Sequence, residues 1–360
     1  MVDFSASERF WSGKRVFVTG HTGFKGTWLT LWLRLLGAEV KGYALEPPTE
    51  PSMFAALGGA DLLESVTGNI LDRELLEREL TNFKPDIVFH LAAQSLVIDS
   101  YQNPIETFET NTLGTACVLE ACRRSKSLKA IVVVATDKCY ENREWMYSYR
   151  EQDPLGGKDP YSASKAAAEL VVASYRESFF KNEGVSLASA RAGNVFGGGD
   201  WADNRLVPDG VRAFTQGNPL VVRNPQAIRP WQFVLEPLNG YLMLGRACLS
   251  GTGFDTAWNF GPDESDVCTV EKLAESMVSA WGESVSWVEV KESPTGGPKE
   301  ASILLLNSGY AKQRLGWKPL LSMGEAMSLT VRWYKEYCCG VRTASLELTE
   351  SQINEYPSHN

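Results

Sequence analysis

Two rhythms of apolar and polar positions alternate along the first half of the chain. Short, continuously apolar runs at 15–19 (RVFVT), 87–91 (IVFHL) and 130–135 (AIVVVA) predict buried strands. Segments 39–45 (EVKGYAL) and 185–190 predict two more, and 64–67 a weaker one. Between them lie longer stretches with helical spacing: 27–36, ended by Gly37; 72–82, with Asp72 as N-cap; 105–124; and 162–180. Strand–helix alternation with strands apolar throughout predicts an α/β fold, a Rossmann-type doubly wound parallel sheet covered on both faces.

Past residue 190 the texture changes. Gly, Pro, Asn and Arg crowd the segments RAGNVFGGGDWADNRLVPD and RNPQAIRPWQF. Helical spacing returns at 236–249, 270–281 and 322–337, with short strands at 220–223 and 286–290. At 360 residues the chain exceeds the roughly 250–300 at which single cores stop growing. We therefore divide it into a Rossmann domain at 1–190, a smaller α+β lobe at 191–340 interleaved with the last elements of the sheet, and a polar, poorly packed tail at 341–360.

Composition narrows the function. Lys and Arg number 35 against 44 Asp and Glu, a net charge of −9, which suits neither nucleic acid nor an anionic membrane. No run approaches the roughly 18 apolar residues of a membrane span, and the N-terminal MVDFSASERFWSGKR has no leader-type apolar core. A cytoplasmic location is expected. Three histidines (His21, His90, His359) are too few for a histidine-rich metal site, so no metal is expected. Seven scattered cysteines without a CxxC pair indicate reduced thiols.

Three motifs carry candidate chemistry. Gly20-His-Thr-Gly23-Phe-Lys-Gly26 lies between a predicted strand and a predicted helix. Glycines there allow a tight turn and close approach of a pyrophosphate to the helix N-terminus. The second predicted strand ends at Ala44-Leu45-Glu46, so Glu46 is either a ribose ligand or loop surface; no arginine stands there for a 2′-phosphate, which favours NAD. Tyr161 is followed four residues later by Lys165, on the same helix face. A lysine so placed can hold a nicotinamide ribose and lower the phenol below its usual pKa of about 10, leaving a base for a sugar hydroxyl. Thr136-Asp137-Lys138 directly follows AIVVVA, at the strand end where open α/β sheets bind ligands.

These motifs, in this order, resemble the extended short-chain dehydrogenase/reductase superfamily, in its nucleotide-sugar branch. The likeness runs over roughly 13–337 and includes His90-Leu-Ala-Ala-Gln94, Asn111-Thr-Leu-Gly-Thr115, Arg191-Ala-Gly-Asn-Val-Phe-Gly197 and Arg229-Pro-Trp-Gln-Phe-Val234. It implies that Gly20, Thr22, Gly23, Phe24, Lys25, Gly26, Asn69, Ile70, Leu91, Ala92, Ala93, Gln94, Tyr161 and Lys165 hold NAD. It implies that Asn194 and Arg229 meet the sugar nucleotide, with Arg205 a second diphosphate candidate or an ordinary salt bridge. The segments GHTGFKGTWL, TDKCY and RPWQFV most resemble the branch's 4,6-dehydratases, and imply a cytidine-linked sugar for surface-polysaccharide deoxyhexoses. They also imply a homodimer or homotetramer built on helices 105–124 and 162–180.

A 4,6-dehydratase must remove water across C5–C6 as well as oxidise C4. It therefore needs an acid for the C6 hydroxyl and proton handling at C5, which a 4-epimerase does not. By the resemblance, Thr136 hydrogen-bonds the 4-oxygen, Asp137 protonates the leaving hydroxyl and Lys138 works at C5. As a base at neutral pH, Lys138 would need its pKa brought down roughly three units from about 10.4. The alternative is an ammonium that stabilises an enolate. Asp137 needs an upward shift to hold a proton at pH 7. Trp201 and Trp231 offer stacking faces or core packing, His21 scaffolds the glycine turn, and Cys139 has no histidine partner nearby in sequence.

Overall fold

The computed structural model describes residues 9–290, 301–340 and 342–356. Residues 1–8 of the stretch read for a leader, and 357–360 of the tail, lie outside the described residues. The strands of the central sheet are β1 (Arg15–Thr19), β2 (Glu39–Ala44), β3 (Glu64–Thr67), β4 (Ile87–His90), β5 (Ala130–Thr136), β6 (Ser186–Ala192) and β7 (Ala257–Phe260). They pair in the order β7-β6-β5-β4-β1-β2-β3, every pair parallel. Every position of β5 is buried, as a strand covered on both faces requires. The order reverses between β1 and β4, which opens a crevice at the carboxyl ends of those strands.

Helices α1 (Phe24–Leu35), α2 (Arg73–Phe83), α3 (Gly114–Arg124) and α4 (Pro160–Tyr175) connect the first strands. Asp72 caps α2 by accepting the Leu75 amide at 3.1 Å, as expected. Asp159 caps α4, accepting from the Ser162 amide and hydroxyl at 2.9 and 2.6 Å, with Pro160 opening the helix. Later elements are α5 (Leu206–Thr215), α6 (Leu235–Ser250), α7 (Val270–Trp281), α8 (Met323–Cys338) and α9 (Arg342–Glu355). α6 packs on β5 and β6, and β7 extends the sheet beyond β6, so the later half of the chain completes the Rossmann sheet. The short strands Leu220–Val222 and Trp287–Glu289 pair with each other.

Three differences from the sequence reading have physical causes. The helix expected at 105–124 is interrupted by a wide π-type turn, Glu109–Leu113, which points the buried Asn111 at the loop after β4. The helix expected at 162–180 likewise ends in a wide turn, Arg176–Phe180. The tail is the largest correction. Residues 342–355 form α9, whose Leu348, Ile353 and neighbouring Tyr356 are buried. Its inner face is partly polar, which hides it from the apolar pattern. Thr349 accepts from the Trp333 indole at 2.9 Å, Gln352 donates to the Leu329 carbonyl at 2.9 Å, and Tyr356 donates to Glu236 at 2.6 Å.

Candidate active site

The turn joining β1 to α1 is made by close backbone approach. Gly20 has φ 75°, and a Cβ there would sit 2.6 Å from the Ala92 nitrogen. At Gly26 a Cβ would collide with the Gly20 carbonyl oxygen. Glycine alone lets the turn, α1 and the loop after β4 press together in this way. No side chain caps α1 and no acid stands in its first turn, so its first amides are left for an anion. The cradle fits the pyrophosphate of a dinucleotide. His21 does not join it. Its ring is buried against Gly42, bonded to the Ser65 hydroxyl at 2.7 Å, with its pKa lowered to about 4 by burial.

One cleft of about 1500 Å³ runs from this turn across the carboxyl ends of the strands. Gly20, Thr22, Gly23, Phe24, Lys25, Gly26, Asn69, Ile70, Leu91, Ala92, Ala93 and Gln94 line it. So do Thr136, Asp137, Lys138, Tyr161, Asn194, Arg205 and Arg229. It exceeds the roughly 300–1,000 Å³ of ordinary ligand pockets, leaving room for two ligands side by side. Ala44, Leu45 and Glu46 form its far wall, where Glu46 accepts from the Thr67 hydroxyl at 3.0 Å. Lys165 stands behind the wall, 5% exposed, donating to the Val134 carbonyl at 3.1 Å.

Asp137 is buried at the end of β5. One carboxyl oxygen accepts from the Thr136 hydroxyl at 3.0 Å, and the other has no hydrogen-bond partner among the described residues. Burial raises its pKa, although Lys138, Thr136 and Arg229 pull the other way. Lys138 is half-buried, its amide donating to the Thr136 hydroxyl at 3.3 Å.

Tyr161 departs from expectation. Its pKa is pushed up to about 12, first by burial, with Asp137 adding to the rise and Thr136 and Arg205 drawing it back. The fall expected from Lys165 is not met, because desolvation of the phenolate dominates and the lysine's amine is engaged with the Val134 carbonyl. Burial also lowers the pKa of Lys165.

Arg205 pairs with Asp200 at 2.9 Å and donates to Ser95 at 3.2 Å, so it is both an ion pair and a wall of the cleft. Arg229 is buried and donates to the carbonyls of Ile228, at 2.9 Å, and Ala301. Trp201 and Trp231 both border the cleft, Trp201 packing edge-on to Tyr334 at 5.1 Å. Cys139 is buried with its thiol pKa pushed up, unlike an activated nucleophile. Asn111 is a residue whose position sequence reasoning undervalues. Its side chain exchanges hydrogen bonds with the Gln94 backbone at 2.9 and 3.0 Å and donates to Ser164 at 2.9 Å, tying the loop after β4 to α4. Its one sequence signal is the NTLGT segment, which carries a likeness but no role.

A glycine cradle at the switch point of a parallel sheet, facing a Tyr–Lys helix, defines the Rossmann architecture of short-chain dehydrogenases/reductases. The chain belongs to the GDP-mannose 4,6 dehydratase family, which residues 17–330 match. It is 48% identical over 357 residues to a CDP-glucose 4,6-dehydratase of Salmonella typhimurium, covering 98% of each chain. Among solved structures it is similar to a dTDP-glucose 4,6-dehydratase from Streptomyces venezuelae with NAD bound, 26% identical, TM-score 0.74, covering 93% of this chain and 99% of that one. An epimerase from Methanothermobacter thermautotrophicus shares the fold at 24% identity and TM-score 0.79, covering 95% of this chain and 98% of that one.

Proposed function

We propose that the chain dehydrates CDP-D-glucose to CDP-4-keto-6-deoxy-D-glucose, with NAD as a resident cofactor. When bound, NAD would supply the hydride acceptor for C4 of the sugar and the donor for C6, so no external redox partner would be consumed. The glycine cradle and the amides of α1 hold its pyrophosphate, and Lys165 its nicotinamide ribose.

The observation that carries the dehydratase reading is Asp137. A 4-epimerase has no use for an acid at this point. Here a carboxyl is buried, raised in pKa and left with one oxygen unpartnered at the edge of the cleft. Burial favours its protonated form, the form that can give a proton to the leaving C6 hydroxyl. Tyr161, beside Thr136, takes the proton of the C4 hydroxyl. Burial raises the phenol, and the positive charge of a bound oxidised cofactor would lower it toward the range of a base. Lys138 takes the C5 proton directly or, as an ammonium, stabilises the enolate formed when that proton leaves. Asn194, Arg205 and Arg229 face the sugar nucleotide, and residues 191–340 form its lobe apart from the sheet elements.

Exposed apolar residues support a homo-oligomer joined through the helical segments 105–124 and 162–180. Ile105 is 71% exposed, Leu113 53% and Leu170 62%, more than isolated surface positions require. No described helix is long and apolar enough to cross a membrane. A cytoplasmic enzyme feeding deoxyhexose synthesis for surface polysaccharide is in keeping with this reading.

The test is incubation with NAD and, separately, CDP-, dTDP- or UDP-glucose or GDP-mannose. Product mass and the alkali-induced 4-ketosugar chromophore are the readouts. Loss of one water from CDP-glucose alone is expected. Loss from another sugar nucleotide would sink the cytidine assignment, and an unchanged mass with inverted C4 would make the protein an epimerase.

A further inference from the structure

Most charged side chains at this cleft have a partner among the described residues, but Lys25 does not. It lies in the first turn of α1, within the glycine turn, where the positive end of the helix dipole disfavours a cation. No acceptor or carboxylate among the described residues bonds its amine. Its one ring contact there is Tyr241 on α6, with the nitrogen 5.9 Å from the ring centre. The Tyr241 hydroxyl is itself buried and unpartnered among the described residues. A half-buried amine with no hydrogen bond among the described residues, at the wrong end of a helix, gains nothing from its own fold. Such a group is retained for what it does to a ligand.

The Tyr241 contact places Lys25 at the end of the cleft where α6 packs on β5 and β6, and the charges acting on it belong to the same end. They are Lys165 on α4, Asp137 after β5, and Arg205 and Asp200 in the segment after β6. All belong to the end of the cleft around Tyr161, not to the wall formed by Leu45, Glu46 and Asn69. Burial first, then Arg205 and Lys165, lower its pKa to about 7 against the opposing pull of Asp137 and Asp200. Its charge therefore changes within the working range of pH.

We propose that Lys25 is a charge-bias residue for the cofactor, one that opposes the positively charged oxidised nicotinamide but not the neutral reduced ring. This rests on the NAD reading above. The ammonium makes the bound oxidised form a stronger hydride acceptor and lets the site keep the reduced form until the hydride is returned. The pyrophosphate, whose charge is the same in both forms, does not contribute to this difference.

The test is equilibrium binding of NAD and NADH, separately, to the full chain and to Lys25→Met, at pH 6 and pH 8.5. The ratio of the two dissociation constants, oxidised over reduced, cancels any general effect on binding. In the unaltered chain the ratio should be larger at pH 6, where Lys25 is charged. In Lys25→Met it should be about tenfold lower at pH 6 and nearly independent of pH, a change of about 30 mV in the bound two-electron couple. Lys25→Arg, which keeps the charge, should retain the high ratio at both pH values. Equal loss of affinity for both forms in Lys25→Met would overturn the inference and assign Lys25 to the pyrophosphate. If that variant does not fold, a ratio unchanged between pH 6 and 8.5 in the unaltered chain overturns it equally. Failure of both forms to bind would remove the NAD reading itself, and the inference with it.

Discussion

Lys165 and Glu169 stand one turn apart on α4, both buried, and their surroundings are opposite in kind. Glu169 receives a complete set of donors. Arg191 on β6 grips it through two nitrogens at 3.0 and 2.7 Å, and the Ser189 hydroxyl adds a third bond at 2.9 Å. Arg191 then reaches the Tyr140 hydroxyl at 2.9 Å, which donates to Asn259 on β7 at 2.7 Å. Burial pushes the Glu169 carboxyl up, but Arg191 and Ser189 more than offset this and hold it below the ordinary range. A turn nearer the helix start, around the cleft, that balance is absent. Burial raises Asp137 and Tyr161 and lowers Lys165 and Lys25, each toward its neutral form. The same sheet and helix thus hold charges that are paired for structure and groups left under-paired for chemistry. Burial alone does not separate the two; the completeness of hydrogen bonding does.

The largest expected effect falls on the under-paired side. Tyr161→Phe should lower turnover about 10³–10⁴-fold, roughly 4–5.5 kcal/mol of barrier, because the base for the C4 hydroxyl is gone. Its urea midpoint should stay close to that of the parent, since a phenyl ring keeps the packing. The check is 4-ketosugar formation beside an unfolding curve. A variant as active as the parent would break the comparison at its centre.

On the paired side the effect should move from activity to stability. Glu169→Gln leaves Arg191 as a buried cation without its anion, which costs about 3 kcal/mol or somewhat more. The urea midpoint should fall with the slope unchanged, while turnover of the folded fraction stays within several-fold. The pH dependence has a definite sign. Because the Glu169 carboxyl is held low in the folded state, it contributes stability above the ordinary carboxylate pKa, and that contribution is lost as pH falls through its folded value. The gap between parent and variant should therefore close on acidification. A constant gap would mean that shape, not charge, is what Glu169 supplies.

This contrast also explains what could be read from the chain beforehand. β1, the glycine turn and α1 are legible because their function resides in backbone geometry, and glycine at a strand–helix junction has few other uses. Tyr161 and Lys165 are legible because helical spacing alone places both on one face. Asp137 can be located by its position after β5, but whether it carries a proton depends on burial and on its missing second partner, which only the fold reveals. Lys25 reads in sequence as one more residue of the glycine turn that holds NAD, and only the walls around it make it unusual. Arg191 falls in a stretch read for Asn194, yet its bonds are all to Glu169, Tyr140 and the Glu151 carbonyl. α5 escapes the pattern because Pro208 and Gly210 look like breakers, although a proline in the first turn sacrifices no helix bond. In α9 a seam of Thr349 and Gln352, bonded to Trp333 and Leu329 on α8, carries no apolar signal.

The smallest effect is also the sharpest, because the same carboxylate-to-amide change should act with the opposite sign at Asp137. In the folded chain the Asp137 pKa is raised, so folding at neutral pH must either keep a proton the unfolded chain would release or bury a charge. Its contribution to stability is fully present below the ordinary carboxylate pKa of about 3.9 and is lost as pH rises through the folded value. An amide in its place would have no such loss. Asp137→Asn should therefore unfold about 1 kcal/mol later than the parent at pH 7, the usual scale of a stability gain at a functional position, while dehydration falls about 10²-fold. At pH 3.5 the stability difference should shrink toward zero. Paired melts of Asp137→Asn and Glu169→Gln at both pH values decide it. If both variants are destabilised at pH 7, Asp137 is a partnered carboxylate like Glu169 and cannot serve as the acid for the C6 hydroxyl.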